Sequence, residues 1–177
     1  MNAIMKLIIG LGNPGEQYKN NRHNVGHMVV DVMTYKVEPL KVDQKKGSTL
    51  LVRKSNCFMN DSGSFVKHFI SLPRSGKLRL YPNISMSDLY IIHDDLDIRL
   101  GEYKIQFGKG PKGHNGILDI EEKLGTSEFW RVRVGIENRN PEDRKSGEEY
   151  VLDDFTDSEI PILGKVIKEI CKKLETL

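Results

Sequence analysis

The sequence contains no long hydrophobic run and only two cysteines, and both shortages limit what the protein can be. No segment approaches the roughly 18 consecutive apolar residues of a membrane-spanning helix, and the N-terminal segment lacks the apolar stretch of a secretion signal. Cys57 and Cys171 show no metal-binding spacing such as C-x-x-C, so we expect free thiols. These features predict a cytoplasmic protein in a reducing compartment, with no membrane partner.

The sequence also lacks internal repeats, a linker and a nucleophile elbow. No serine or cysteine lies in a G-x-S-x-G turn between a strand and a helix, which favours direct attack by water over a covalent intermediate. With 177 residues, of which 38% are hydrophobic and 29% are charged, the chain can bury a full core. We therefore predict a single domain over residues 1–177.

Charge is nearly balanced overall, at a formal net +2, but it is unevenly distributed. Residues 41–79 carry nine Lys or Arg against two Asp or Glu, whereas residues 148–177 carry four against eight. Such a run is most often a solvated face, but a basic block of this size also favours a polyanionic partner. Charge alone does not identify that partner.

Hydrophobic periodicity predicts alternating strands and helices. The predicted strands are residues 6–9, 49–53, 89–92, 103–107 and 130–136. The predicted helices are residues 25–35, 65–70, 117–124 (closed by Gly125) and a last helix that starts at the capping-box spacing of Thr156 and Glu159. Polar stretches predict loops at residues 41–47, 71–83 and 137–149. The alternation predicts an α/β fold: a mixed, mostly parallel twisted sheet with helices on both faces.

A glycine-rich loop follows the first predicted strand, and a histidine precedes the first predicted helix. The loop reads Gly10-Leu11-Gly12-Asn13-Pro14-Gly15, and Arg22-His23-Asn24-Val25-Gly26 comes after it. Open α/β sheets place their sites at such strand ends. The glycine spacing also fits a dinucleotide-binding loop, so a nucleotide-binding enzyme stays open as an alternative. Against it, Pro14 removes an amide donor, and the helix does not open directly at the last glycine.

Polar side chains gather at the predicted strand ends and at one helix start. They are Asn13, His23, Asn60, Asp94, His114 and Asn115. Because strand ends at one sheet edge converge, we expect one pocket, in which a carboxylate beside a histidine makes a general base and asparagines hold an amide or an oxyanion. Two alternatives stay open. In the first, the asparagines are only turn or cap residues. In the second, Asp94, Asp95 and Asp97 form a metal site with His93 or His114.

Five segments resemble the bacterial peptidyl-tRNA hydrolase family, in order and spacing, over most of the chain. They are Gly10-Leu11-Gly12-Asn13-Pro14-Gly15 with Tyr18, Arg22-His23-Asn24-Val25-Gly26, Phe58-Met59-Asn60 with Ser62-Gly63, His93-Asp94-Asp95-Leu96-Asp97, and Gly113-His114-Asn115-Gly116. One such motif is weak evidence, but five in register are specific. The resemblance implies hydrolysis of the ester that joins a peptide to the 3′-terminal ribose of tRNA, by a monomer without metal or organic cofactor.

The resemblance also implies roles for individual residues. His23 matches the general base that activates water, Asp94 the residue that keeps His23 able to accept the proton, and Asn13 the position that distinguishes blocked from free aminoacyl-tRNA. The positions that contact the tRNA end or the peptide are matched by Tyr18, Phe58, Asn60 and Asn115.

A tRNA substrate would be contacted by the basic residues and by two aromatic rings. Phosphate contacts are expected from the 41–79 block and from Lys104, Lys109, Lys112, Arg131 and Arg133. Stacking on the terminal adenine is expected from Phe58 and Tyr18.

Several positions depart from the family pattern, none of them at a proposed catalytic residue. Asn21 replaces a usual threonine, Ser55-Asn56-Cys57 replaces a stretch that usually carries proline and threonine, and Gln106 replaces a lysine associated with tRNA contact. The loop at residues 108–113 has Lys109, Pro111 and Lys112 where relatives have glycines or a histidine. The family also has RNA-binding relatives that act in splicing without hydrolysis, so a non-catalytic RNA-binding protein is a further alternative.

Overall fold

One six-stranded sheet organises the fold. The computed structural model describes residues 4–36, 40–43, 48–71, 84–140, 142 and 145–177. The strands are β1 (Ile4–Gly10), β2 (Leu40–Asp43), β3 (Ser48–Lys54), β4 (Leu89–Arg99), β5 (Tyr103–Phe107) and β6 (Trp130–Glu137). Their spatial order is β2-β3-β1-β4-β6-β5. The inner strands pair in parallel, and the edge strands β2 and β5 run antiparallel, which confirms the predicted mixed, mostly parallel sheet.

Helices cover both faces of this sheet, as predicted. Helices α1 (Val25–Lys36) and α5 (Ile160–Leu174) pack on one face, and α2 (Ser62–Ile70) and α3 (Asn115–Leu124) pack on the other. A short helix, α4 (Gly147–Val151), precedes α5. Within the described part of the chain, no helix is long and apolar enough to cross a membrane.

The central strand β1 is apolar at consecutive positions because both of its faces are covered. Leu7, Ile8 and Ile9 are all fully buried. Leu7 and Ile9 belong to the core under α2 and α3, whereas Ile8 belongs to the core under α1 and α5. The same two-sided burial explains the continuous apolar run at the start of β4.

Helix ends follow the predicted chemistry in part. Gly125 closes α3 in the left-handed conformation, with φ of 68°, which glycine adopts without steric cost. At the start of α5, the Glu159 side chain accepts the backbone N–H of Thr156 at 2.8 Å. The second half of the predicted capping box is wrong, because the Thr156 hydroxyl pairs with Ser158 instead of capping the helix.

Two predicted loops and the predicted end of one strand are wrong where the structure describes them. Residues 41–43 belong to β2, because the free edge of β3 offers backbone groups with which they pair. Residues 93–97 belong to β4, whose pairing with β6 continues to Asp95 and Gly135, so Asp94 lies within the strand and not after it. Residues 147–149 start α4, which is opened by a capping box of Ser146 and Glu149. The predicted loops at residues 44–47 and 72–83 lie outside the described residues.

Candidate active site

A cleft opens at the carboxyl ends of β1 and β4, where β1 has β3 on one side and β4 on the other. Its volume is about 640 Å³. The six polar residues that we expected to converge all line it, namely Asn13, His23, Asn60, Asp94, His114 and Asn115. An apolar wall is added by Met59, Leu96, Val151 and Leu152. The predicted convergence of strand ends therefore produces a single site.

His23 and Asp94 form a hydrogen-bonded pair in the wall of the cleft. His23 lies in a helical turn, Arg22–Asn24, directly before α1. Its Nδ1 is 2.8 Å from Oδ1 of Asp94. Because an ionised carboxylate only accepts hydrogen bonds, Nδ1 must carry the proton and donate it. Neutral His23 then holds its lone pair on Nε2, which has no hydrogen-bond partner within the described part of the chain.

Electrostatics in this pair favour a protonated histidine and an ionised aspartate. Burial lowers the pKa of His23, but the charge of Asp94 and its hydrogen bond outweigh burial and leave the pKa raised above its ordinary value. Burial raises the pKa of Asp94, but His23 and His114 together hold it well below its usual range. Asp94 therefore stays ionised at neutral pH and stabilises the imidazolium that forms when His23 takes a proton.

Asp94 has a second histidine partner that the sequence did not reveal. Nε2 of His114 is 3.0 Å from the same oxygen, Oδ1, that His23 contacts. His114 is also the N-cap of α3, where its Nδ1 accepts the backbone N–H of Ile117 at 3.3 Å. The rings of His23 and His114 lie 4.9 Å apart. The signal in the sequence was the segment Gly113-His114-Asn115-Gly116, from which we drew only a helix start and a polar pocket residue.

The alternative metal site is not assembled as the sequence suggested. Asp95 accepts hydrogen bonds from Arg133 and from the backbone N–H of Asp97, so it does not join Asp94. Ligand atoms of His23, Asp94 and His114 lie within 4.8 Å of one another. In that trio, however, both ring nitrogens that contact Asp94 donate a proton to it. These two nitrogens therefore have no lone pair with which to bind a metal ion.

Asn13 is held so that its amide NH₂ group is the end available to the cleft. Its backbone N–H and C=O are bonded to the side chain of Asn24, each at 2.9 Å. Its Oδ1 accepts the backbone N–H of Met59 at 2.9 Å. Because a backbone amide can only donate, the oxygen is assigned and Nδ2 remains as a donor on the cleft wall. Asn13 is thus a cleft residue and not merely a turn residue.

The glycines of the first loop serve close packing. A Cβ on Gly10 would lie 2.2 Å from the carbonyl oxygen of Gly26, and a Cβ on Gly12 would lie 2.7 Å from the ring of His27. The loop therefore needs glycine to approach α1. This role accounts for the spacing without a phosphate, which counts against the dinucleotide-binding alternative.

The turn that carries His23 is anchored from the other end of the chain. Arg22 is buried and pairs with Glu159 at 2.6 Å. Its guanidinium lies 4.1 Å from the ring centre of Tyr150 and donates to the carbonyl oxygen of Asp154. The side chain of Asn21 donates to the Asp154 carboxylate at 2.7 Å, which gives this atypical residue a structural use. The sequence did not predict this anchor, because its members are about 130 residues apart.

Comparison with known proteins decides the family. The family model described as peptidyl-tRNA hydrolase matches residues 7–177. The chain belongs to the peptidyl-tRNA hydrolase family. The peptidyl-tRNA hydrolase of Mycolicibacterium gilvum is 38% identical over 182 residues, which cover 97% of this chain and 89% of the relative. That of Mycobacterium marinum is 34% identical, with 97% and 90% covered. The crystal structure of peptidyl-tRNA hydrolase from Acinetobacter baumannii has a TM-score of 0.77 at 30% identity and covers all of this chain and 89% of that one.

The positions that match peptidyl-tRNA hydrolase substrate contacts surround the mouth of the cleft. Asn60 and Asn115 are exposed and line it. Phe58 also lines it and has 54% of its surface exposed. Tyr18 meets Phe58 edge to face, with ring centres 6.4 Å apart. The two aromatic residues therefore form one surface beside the cleft.

The predicted phosphate contacts of this peptidyl-tRNA hydrolase family member divide into two groups. Lys104, Lys109 and Lys112 are exposed, and Lys112 lines the cleft. Arg131 is fully buried, pairs with Glu121 and lies 4.3 Å from the ring centre of Phe129. Arg133 is bonded to Asp95 at 2.7 Å and to Gln106 at 2.8 Å. This geometry counts against phosphate contact by Arg131, whereas Arg133 is half-buried and gives two of its five N–H donors to protein partners. Both arginines lie in the strand predicted for residues 130–136, but their partners were not predicted.

Proposed function

We propose that this protein hydrolyses the ester bond between a peptide, or an N-blocked amino acid, and the 3′ ribose of tRNA, and so recycles tRNA from abandoned translation. The observation that carries the proposal is the 2.8 Å bond from His23 Nδ1 to buried Asp94, which leaves the Nε2 lone pair on the wall of an open cleft. We further propose that it acts as a cytoplasmic monomer and that one domain spans residues 1–177.

The chemistry needs one base and one site for negative charge. His23 Nε2 takes a proton from water as the water oxygen attacks the ester carbonyl carbon. The carbonyl oxygen becomes an oxyanion in the tetrahedral intermediate. When the carbonyl re-forms, the bond to the ribose 3′ oxygen breaks, and that oxygen takes the proton held by His23. The products are a peptide with a free carboxylate and a tRNA with a free 3′ hydroxyl group.

Asn13 gives the cleft a neutral donor near the reacting ester. Its oxygen is occupied by Met59, so its Nδ2 offers N–H groups to a carbonyl oxygen. A blocked amino acid carries an amide carbonyl next to the ester, whereas a free amino acid carries an ammonium group that cannot accept. Such a donor therefore favours blocked substrates, in agreement with the role that the family resemblance implies for Asn13.

Binding of tRNA is assigned to the aromatic pair and the exposed lysines. The surface of Phe58 and Tyr18 offers rings on which the terminal base can stack. Three exposed lysines, Lys104, Lys109 and Lys112, offer phosphate contacts that position the tRNA without reading its sequence. If all three engage, the logarithm of affinity should fall with the logarithm of salt with a slope of about −3. A flat salt dependence would contradict this part of the proposal.

The test is to incubate the protein with N-acetyl-aminoacyl-tRNA and, in parallel, with free aminoacyl-tRNA carrying the same amino acid. We expect release of the acetylated amino acid only, together with intact deacylated tRNA. Equal cleavage of both would contradict the role of Asn13. Salt-sensitive tRNA binding without cleavage would overturn the hydrolase in favour of an RNA-binding protein, and saturable binding of NAD or ATP would favour the nucleotide alternative.

A further inference from the structure

We propose that His114 is a positioning residue for the reaction: it holds Oδ1 of Asp94 in place from the start of α3 and limits how strongly that oxygen attracts the proton of His23. The inference rests on the proposed function for its catalytic meaning, but its geometric part can be measured without hydrolysis. No role is given to His114 by the family resemblance described above.

The protonation of His114 follows from its two hydrogen bonds. The backbone N–H of Ile117 can only donate, so the Nδ1 that receives it at 3.3 Å carries a lone pair. The ring proton must then lie on Nε2, where it is donated to Asp94 at 3.0 Å. A doubly protonated His114 would lose the bond to Ile117. The start of α3 therefore selects the tautomer that can hold Asp94.

The two histidines compete for one oxygen atom. Asp94 Oδ1 accepts from His23 at 2.8 Å and from His114 at 3.0 Å. An oxygen that accepts a second hydrogen bond has less negative charge available to the first donor. His114 thus fixes the position of the carboxylate and weakens its attraction for the Nδ1 proton. The imidazolium is then stabilised less strongly, so Nε2 can release the proton taken from water to the leaving group.

The other charged and titratable groups nearby do not duplicate this effect. From β4, His93 is fully buried, donates its Nδ1 proton to the backbone oxygen of Asp94 and lies 4.9 Å from His114 between ring centres. Burial, with His114 next, holds the pKa of His93 well below its usual value, so it remains neutral. The other charged residues of the cleft are Lys112 from the loop before α3, Asp97 from β4 and Glu148 from α4, all exposed.

Two substitutions separate the cap from the contact with Asp94. In His114→Asn, the amide oxygen stands in for Nδ1 and can cap α3, because asparagine is a preferred N-cap, but the side chain is too short to reach Asp94. In His114→Gln, the amide nitrogen stands in for Nε2 and can reach Asp94, but the cap is lost. Leu118→Ala, at an exposed position on α3, is the control for changes that leave both contacts intact.

The measurements are kcat, KM, the pH dependence of kcat/KM, the melting temperature and an NMR titration of the His23 imidazole. For His114→Asn we expect a loss of about tenfold in kcat with little change in KM, since a hydrogen bond to a charged group is removed. The pH midpoint of His23 should rise by about half a unit or more, because Asp94 then stabilises the imidazolium form of His23 more strongly. His114→Gln should regain much of the rate and restore the midpoint, despite a lower melting temperature.

Two results would overturn the proposal. One is an unchanged kcat and an unchanged His23 midpoint in His114→Asn. The other is a rate loss that follows the melting temperature across both variants, because that pattern indicates only the helix cap. If the unmodified protein shows no hydrolysis, the proposed function fails, whereas the NMR midpoint of His23 still decides whether His114 acts on Asp94.

Discussion

Replacing Asp94 with asparagine removes the charge that faces His23 and nearly preserves the shape of the side chain. Asp94 is buried, and its Oδ1 lies 2.8 Å from His23 Nδ1, so the imidazolium formed in the transition state loses its counter-charge. With charge centres about 4 Å apart and an effective dielectric constant of about 20, the attraction is about 4 kcal/mol. A loss of that size corresponds to a factor of about 10³ in rate.

The pH dependence gives this prediction its sign. Asp94 raises the pKa of His23, so in Asp94→Asn that pKa should fall and the acidic limb of kcat/KM should move to lower pH. The plateau at higher pH should stay depressed, because the loss concerns the transition state. Single-turnover hydrolysis of N-acetyl-aminoacyl-tRNA between pH 5 and 9 measures both effects.

Asp97→Asn is the matched control for this experiment. It removes an exposed carboxylate from the same strand and the same cleft, and that carboxylate has no hydrogen bond to His23. An exposed charge is screened, so we expect a change of no more than about fivefold. The reasoning is refuted if Asp94→Asn stays within that range as well, or if its acidic limb moves to higher pH.

Three further predictions concern stability and can be checked by urea unfolding. Arg22→Met should cost about 3–5 kcal/mol, because it leaves the buried carboxylate of Glu159 without its positively charged partner; an unchanged midpoint would show that the pair contributes nothing. Gly10→Ala should cost more than about 2 kcal/mol, because its Cβ would lie 2.2 Å from the carbonyl oxygen of Gly26, whereas Gly113→Ala, with nothing within 4 Å, should be nearly neutral. Burial and then Lys54 lower the pKa of His27 from 6.5 to about 4 in the folded protein. The unfolded chain therefore binds the proton first, and the free energy of unfolding should fall by about 3 kcal/mol as pH drops through that window. His27→Gln should lack this part of the pH dependence, and equal slopes in both proteins would contradict it.

The sequence was sufficient for the parts of the fold that depend on local pattern. Buried parallel strands must be apolar on both faces, so residues 6–9 and 89–92 indicated strands directly. The strand β2 was missed because it has only four residues and runs into a polar, basic segment, and its pairing with β3 is visible only in three dimensions. The end of β4 was missed because His93 and Asp94 are polar, although both are buried and hydrogen-bonded there.

Within the cleft, the sequence predicted which residues meet but not all of their contacts. Asn13, His23 and Asp94 could be brought together because strand ends converge at one edge of a sheet. That His114 shares an oxygen of Asp94 with His23 depends on where α3 begins relative to β4, which no residue pattern records. Arg131 seemed suited to phosphate on charge alone, whereas its burial depends on partners that only the packed structure brings to it.

The central claim is that His23 is the general base for hydrolysis of the peptidyl-tRNA ester. Its most direct test is the single-turnover cleavage of N-acetyl-aminoacyl-tRNA by the unmodified protein and by His23→Ala, with tRNA affinity and circular dichroism measured on both. We predict at least about a hundredfold loss of rate with affinity and fold retained. Cleavage by the variant within about tenfold of the unmodified rate would contradict the claim, since loss of a general base removes more than that.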